Sequence, residues 1–244
     1  MATYKLTIEY DGTAYAGWQR QADRQTIQEA VEAALRRITQ RYVPVIGAGR
    51  TDAGVHAFGQ VASFRTEETL SAAAWHRALN ALLPDDISVR SVEQVADDFH
   101  ARYSARAKLY EYRIINQPER AALDRHRTWH LRRPLDIPGM REAAQVLVGR
   151  HDFSSFQGSP TDTENAVCTL QQLDIEQEGS LVRIAIRADR FLKQMVRAIV
   201  GTLVEVGHGK RTAAMVKDIL EAKDRRAAGM TAPAHGLYLV RVEY

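Results

Sequence analysis

Thr3-Tyr4-Lys5-Leu6-Thr7-Ile8-Glu9-Tyr10 alternates polar and apolar side chains. That is the period of a strand with one face in a core and the other toward solvent. A polar, glycine-containing loop follows, from Asp11 to Arg24, and then the period changes. Ile27, Val31, Ala34, Leu35 and Ile38 recur at helical spacing and predict a helix over 27–39. Thr26 with Glu29 reads as a capping box at its start. A strand from Tyr42 to Ile46, a glycine-rich loop over 47–57 and a strand from Gln60 to Arg65 come next. Ser71 is expected to cap a helix reaching Leu82 and ended by Pro84. Residues 87–95 are again strand-like.

The second half continues the alternation. Residues 103–115 hold one or two strands. Residues 136–147 predict a helix with Pro138 in its first turn. Leu170–Glu176 and Leu181–Ala188 pair as a hairpin around Glu178-Gly179-Ser180. A long helix is expected from Phe191 to Val206, stopped by Gly207. Another covers Thr212–Ala222, and Leu237–Val242 is the last strand. Each half thus reads β-α-β-β-α-β, the order of a split βαβ unit. The expected fold class is α+β, with two ferredoxin-like halves. Their strands are expected to form a continuous, mainly antiparallel sheet with helices on one face. The boundary falls near Asp98 to Ala105. It gives an N-terminal half, 1–104, that carries the 47–57 loop, and a C-terminal half, 105–244.

Composition narrows the function classes. At 244 residues, 45% hydrophobic and 26% charged, the chain is ordinary globular protein. It is long enough to bury a core without metal or disulfide. Cys168 is the only cysteine, so no intrachain disulfide forms, and a reducing compartment fits. The N-terminus shows no apolar leader, so no targeting segment is expected. The most apolar stretch, Phe191 to Gly207, is too short and too charged to span a bilayer. Net charge is only +3 but uneven: 99–133 holds nine Lys/Arg against three Asp/Glu. Arginine dominates, and Tyr103, Tyr110, Tyr112 and Trp129 lie among the charges. Planar guanidinium groups and rings together suit nucleic acid. A solvated, arginine-rich face explains the same composition.

Gly47, Gly49 and Gly54 bracket Arg50-Thr51-Asp52 between two expected strands. Glycines there allow a sharp turn and close approach of a ligand. The loop lacks the Gly-Lys-Ser/Thr of a P-loop and the spacing of a dinucleotide fingerprint. It offers one carboxylate beside an arginine, either as a catalytic group or as a surface residue of a structural turn. In the loop 11–20, Tyr15 and Trp18 read mainly as packing, whereas Arg20 and Arg24 would suit phosphates. The histidines are scattered without metal-ligand spacing, so no metal is expected. No serine sits in a nucleophile elbow, and Cys168 has no evident base.

Several segments carry a resemblance. Glu9-Tyr10-Asp11-Gly12 with Gly17-Trp18-Gln19-Arg20-Gln21 resembles the opening of the tRNA pseudouridine synthase A family, the anticodon-arm enzymes. Gly47-Ala48-Gly49-Arg50-Thr51-Asp52-Ala53-Gly54-Val55-His56 is similar to their signature loop. Asp98-Phe99-His100-Ala101-Arg102 with Lys108-Leu109-Tyr110-Glu111-Tyr112 is similar to their central tyrosine motif. Phe191 to Gly201 resembles their late helix. Ala222-Lys223-Asp224-Arg225 and Gly236-Leu237-Tyr238-Leu239 resemble their closing segment. The blocks run in order along the whole chain. Gln194 departs from the pattern, standing where many relatives carry His.

The resemblance implies the pseudouridine synthase fold and isomerisation of uridines 38, 39 and 40 in the tRNA anticodon stem-loop. It also implies a cytoplasmic homodimer without metal or organic cofactor. It gives Asp52 as catalytic carboxylate, Tyr110 as the ring that stacks on the target base, and Arg50 and Arg197 as substrate-binding residues. Either arginine, within about 4–6 Å, would keep the carboxylate charged. Arg20, Arg24, His56 and Arg102 are weaker tRNA-binding expectations. The carboxylate can attack C1′, attack uracil C6, or take a ribose proton. Two other classes stay open on the residues alone. One is a non-catalytic, structured-RNA-binding protein; the other is a small-molecule hydrolase using Asp52 as base.

Overall fold

Burial follows the alternation of the first strand. In the computed structural model, which describes residues 1–161, 163 and 165–244, β1 runs Ala2–Tyr10 with Tyr4, Leu6, Ile8 and Tyr10 all inside. α1 is Ile27–Thr39. Its N-terminus is capped by the Thr26 side chain, which accepts from the Glu29 N–H. Its inner face buries Ile27, Val31 and Leu35. β3 is His56–Thr66, α2 is Ala72–Asn80 behind the capping Ser71, and β4 is Ile87–Val95.

The chain divides into two compact units, residues 1–106 with 238–244 and residues 107–237. In the first, β1 lies antiparallel between β4 and β3, and the two-residue β2, Ile46–Gly47, pairs antiparallel with β3. That order, β4-β1-β3-β2, is the split βαβ arrangement. Tyr238 and Leu239 add in parallel beside His56 and Ala57; they belong to the last strand, β10, Leu237–Glu243. Tyr4 stacks on Phe64 (5.3 Å), and Trp75 meets both at an angle (5.7 and 5.2 Å), where α2 packs on the sheet.

In the second unit β5 (Ala107–Asn116), β9 (Leu181–Ala188), β8 (Val167–Glu178) and β7 (Gly149–Asp152) pair antiparallel in that order. A short β6, Trp129–Leu131, runs parallel to β5. The helices are α3 (Ile137–Gln145), α4 (Met195–Gly207) and α5 (Ala213–Ala222). α4 is apolar nearly all round, as a helix enclosed on every side must be.

Three expectations change. No strand forms over 42–45. Val45 N–H donates instead to Glu32 Oε1 (3.1 Å), and Gln28 Nε2 donates to Val45 O (3.1 Å). Side chains of α1 thus take the backbone groups that a neighbouring strand would need, and Pro44 has no N–H to offer. The late helix starts at Met195, four residues after Phe191. Gln194 adopts a left-handed conformation (φ 57°), and Gly158 N–H takes the Lys193 carbonyl at 2.7 Å. Gly207 ends that helix from inside it, and Gly209 makes the turn at φ 70°. The expectation of one or two strands within 103–115 is met by one, because 101–104 form a turn.

Candidate active site

The loop over 47–56 is built against the loop over 11–20. Trp18 N–H donates to Thr51 O (3.1 Å), and Gly54 N–H to Tyr15 O (3.3 Å). The approach is close enough to exclude side chains. A Cβ on Gly12 would run into the Val55 carbonyl, and one on Gly17 into the Thr51 carbonyl. Gly17 also takes φ +97°, a conformation that L side chains rarely adopt. Tyr15 and Trp18 are plugs in the core: Tyr15 donates its hydroxyl to Asp86 (2.6 Å), and Trp18 lies 6.4 Å from Tyr10.

Side chains from the sheet brace the same loop. Tyr10 and Thr51 share a 2.8 Å hydrogen bond between hydroxyls. Burial pushes the Tyr10 phenol above its ordinary range, partly offset by its bonds to Thr51 and Gln60. Gln60, fully buried on β3, donates to Gly49 O at 2.9 Å. Within the loop, Val55 N–H returns to Asp52 O at 3.1 Å. Asp52 is half-buried at the head of this turn, and Arg50 is exposed two residues earlier.

His56 closes the loop from below, 2% exposed. Its Nδ1 lies 3.1 Å from both Gly12 N and Asp11 Oδ1. It accepts from the Gly12 amide. Its ring stacks on Tyr238 at 4.8 Å, and Tyr238 stacks on Phe58 at 5.0 Å. A buried imidazole in this position ties two loops and a strand together.

The remaining expected residues fall in different settings. Arg20 reaches Glu32 (3.4 Å), and Arg24 is exposed. Arg102 is exposed, with its guanidinium 5.7 Å from the Tyr103 ring. In the second unit, Tyr110 is buried on β5 and meets Phe191 edge-on at 4.9 Å. Arg197 leads α4. Its Nε donates to Ala232 O (2.7 Å), and Ala232 N–H returns to Arg197 O (3.0 Å). Burial drives the Tyr112 phenol far above its ordinary range, and the nearby Arg197 charge works against that shift. Tyr112 donates to Pro233 O at 2.7 Å. The segment after α5 is therefore pinned from both β5 and α4.

A rigid loop presenting a half-buried carboxylate suits attack on, or proton removal from, a positioned substrate. The model of the tRNA pseudouridine synthase family matches residues 6–104 and 143–244. The chain belongs to that family. It is 47% identical to a tRNA pseudouridine synthase A of Acetivibrio thermocellus over 244 residues, all of both chains. It is 49% identical to one of Afipia carboxidovorans over 245 residues, again covering both completely. One of Rhodospirillum rubrum is 47% identical, spanning all of this chain and 88% of its own. Tyr110 lies between the two ranges that the family model matches, in a segment the full-length relatives span.

The braces were not read from the sequence. Tyr10 was legible as a strand residue within the Glu9-Tyr10-Asp11-Gly12 motif, and Gln60 only as a strand residue. The available signal was a polar group at a position facing the core, which must find a partner there. Among the described residues, no group of three or more His, Cys, Asp or Glu could hold a metal ion. Among the same residues, no helix is long and apolar enough to cross a membrane.

Proposed function

We propose that the chain isomerises uridine to pseudouridine at positions 38, 39 and 40 of the tRNA anticodon stem-loop, with Asp52 as the catalytic carboxylate. The observation that carries this reading is the construction of the 47–56 loop. Its half-buried aspartate sits on a backbone held by Gly12, Gly17, Tyr10 and Gln60. Such fixation supplies the positioning that a reacting carboxylate needs. Full-length likeness to proteins named tRNA pseudouridine synthase A supports the same conclusion.

The uracil N1–C1′ bond breaks, the base turns, and C5 joins C1′. The C5 proton leaves and N1 gains one, so atoms and electrons balance within the nucleotide. The target uridine must leave its stack, at a cost of a few kcal/mol. Tyr110 is the ring that receives the uracil and recovers about 1–3 kcal/mol of that cost. Arg50 and Arg197 bind the substrate. Arg20, Arg24 and Arg102 meet tRNA phosphates. His56, being buried, serves the reading better as a brace of the loop than as a phosphate contact. A homodimer acting in the cytoplasm completes it.

The test uses an unmodified tRNA transcript carrying tritium at uracil C5. Release of label to water by the unaltered chain is expected. Binding without release would turn the reading into that of a structured-RNA-binding protein.

A further inference from the structure

Tyr103 is a large aromatic side chain left 77% exposed on a turn that is otherwise tightly held. The turn is pinned from two sides. Ala101 N–H donates to Ser63 Oγ (3.3 Å), and the Tyr244 hydroxyl donates to Ala101 O (2.8 Å). Ala101 itself is fully buried against Ala48 and Val61. Ala48 opens the loop that carries Asp52, so turn and loop are mounted on one small cluster.

The ring is also supported from within the turn. His100 stacks on it, with centroids 4.3 Å apart and planes 30° from parallel. The imidazole is held in turn, because its Nδ1 accepts the N–H groups of Arg102 and Tyr103, each at 3.2 Å. The Arg102 guanidinium lies 5.7 Å from the Tyr103 ring centroid. Most of the phenol surface nevertheless remains open to solvent. A ring already fixed loses little further freedom when a flat group settles on it.

We infer that Tyr103 is a stacking platform for an unpaired nucleobase of the tRNA, with Arg102 beside it for that nucleotide's phosphate. The partner's chemistry follows from the site: an aromatic platform with a guanidinium beside it takes a base on its face and an anion at its edge. The inference rests on the chain's being a tRNA enzyme, but its test does not depend on catalysis.

The experiment measures the dissociation constant of an unmodified tRNA transcript for the full chain and for Tyr103→Ala, Tyr103→Leu, Tyr103→Phe and Tyr103→Trp, across a salt series. The Ala and Leu variants are expected to bind about tenfold more weakly, and Phe and Trp to stay within about twofold of the parent. The slope of affinity against salt is expected to be the same for all, because stacking releases no counterions. In label release, Tyr103→Ala should raise KM more than it lowers kcat. Three results would overturn the platform: parent-like affinity in both Ala and Leu, an equal loss in Phe and Ala, or a changed sedimented mass in Ala, which would place Tyr103 between two copies of the chain. Failure of the unaltered chain to release label would instead overturn the proposed reaction, while the affinity ratios still decide the platform.

Discussion

Asp52 depends on neighbours that hold the chain beneath it more than on any feature of its own. Thr51, one residue before it, is tied to Tyr10, and Gly17 lies against the carbonyl of Thr51. Asp52→Asn keeps the shape and removes the charge. Tritium release is expected to fall at least about a thousandfold. Affinity for tRNA should stay within about threefold, because phosphate contacts carry most of it. Parent-like release would remove Asp52 from the chemistry. Gly17→Ala is expected to cost about 1–3 kcal/mol in urea unfolding, through its positive φ and the carbonyl it would strike. Label release should drop under conditions where the variant remains folded, since the loop must shift to make room.

At the scale of elements, α2 buries two large side chains, Trp75 and Leu79. Trp75 is wholly buried against Tyr4 and Phe64. Trp75→Ala is expected to destabilise by about 3–5 kcal/mol. Trp75→Phe should cost much less, because the indole N–H finds no hydrogen-bond partner among the described residues. Thermal unfolding of both variants checks the ratio. In the second unit, Asp152 stands two residues before the short 3-10 turn Ser154–Phe156 and accepts from the Ser154 N–H (3.0 Å) and Oγ–H (2.6 Å). The Ser154 hydroxyl first, then its amide and Lys223, hold this carboxyl below its ordinary range despite partial burial. A depressed carboxylate stabilises above its unfolded pKa of about 3.9 and loses that contribution as pH falls below it. Asp152→Asn should therefore lose less stability than the parent between pH 5 and pH 3. Urea melts at the two values measure it.

For the molecule as a whole, tRNA affinity should fall steeply with salt. Arg102→Ala and Arg24→Ala are each expected to lower the salt slope by roughly 1, with little dependence on tRNA sequence. A filter-binding series from low to high salt tests this, and an unchanged slope would take that arginine off the phosphates. Sedimentation of the unaltered chain tests the homodimer. Cys168 offers a check that both measurements are made on folded protein. Its thiol is buried and pushed up to about 11, chiefly by that burial, so alkylating reagents should label it only on unfolding.

The sequence by itself determined the elements whose signal is local. The alternation of 3–10, the helical period of 27–39, the capping serine at 71 and the glycine turn at 179 each arise within a few residues, and each appears in the structure. The Arg-Thr-Asp-Ala-Gly-Val-His string was likewise legible as a glycine-bracketed loop, and its last residue opens β3. Other features needed partners distant in the chain. β6 and β7 are too short to show a period and exist only because β5 and β8 pair with them. β3 begins at His56 because Tyr238 and Leu239 arrive beside it. The stretch 42–45 has strand-forming residues, but Gln28 and Glu32 claim its backbone. Tertiary structure alone decided what holds Asp52 in place. Hydrogen bonds and close backbone contacts between segments tens of residues apart leave no periodicity in a sequence; they are set when the chain packs.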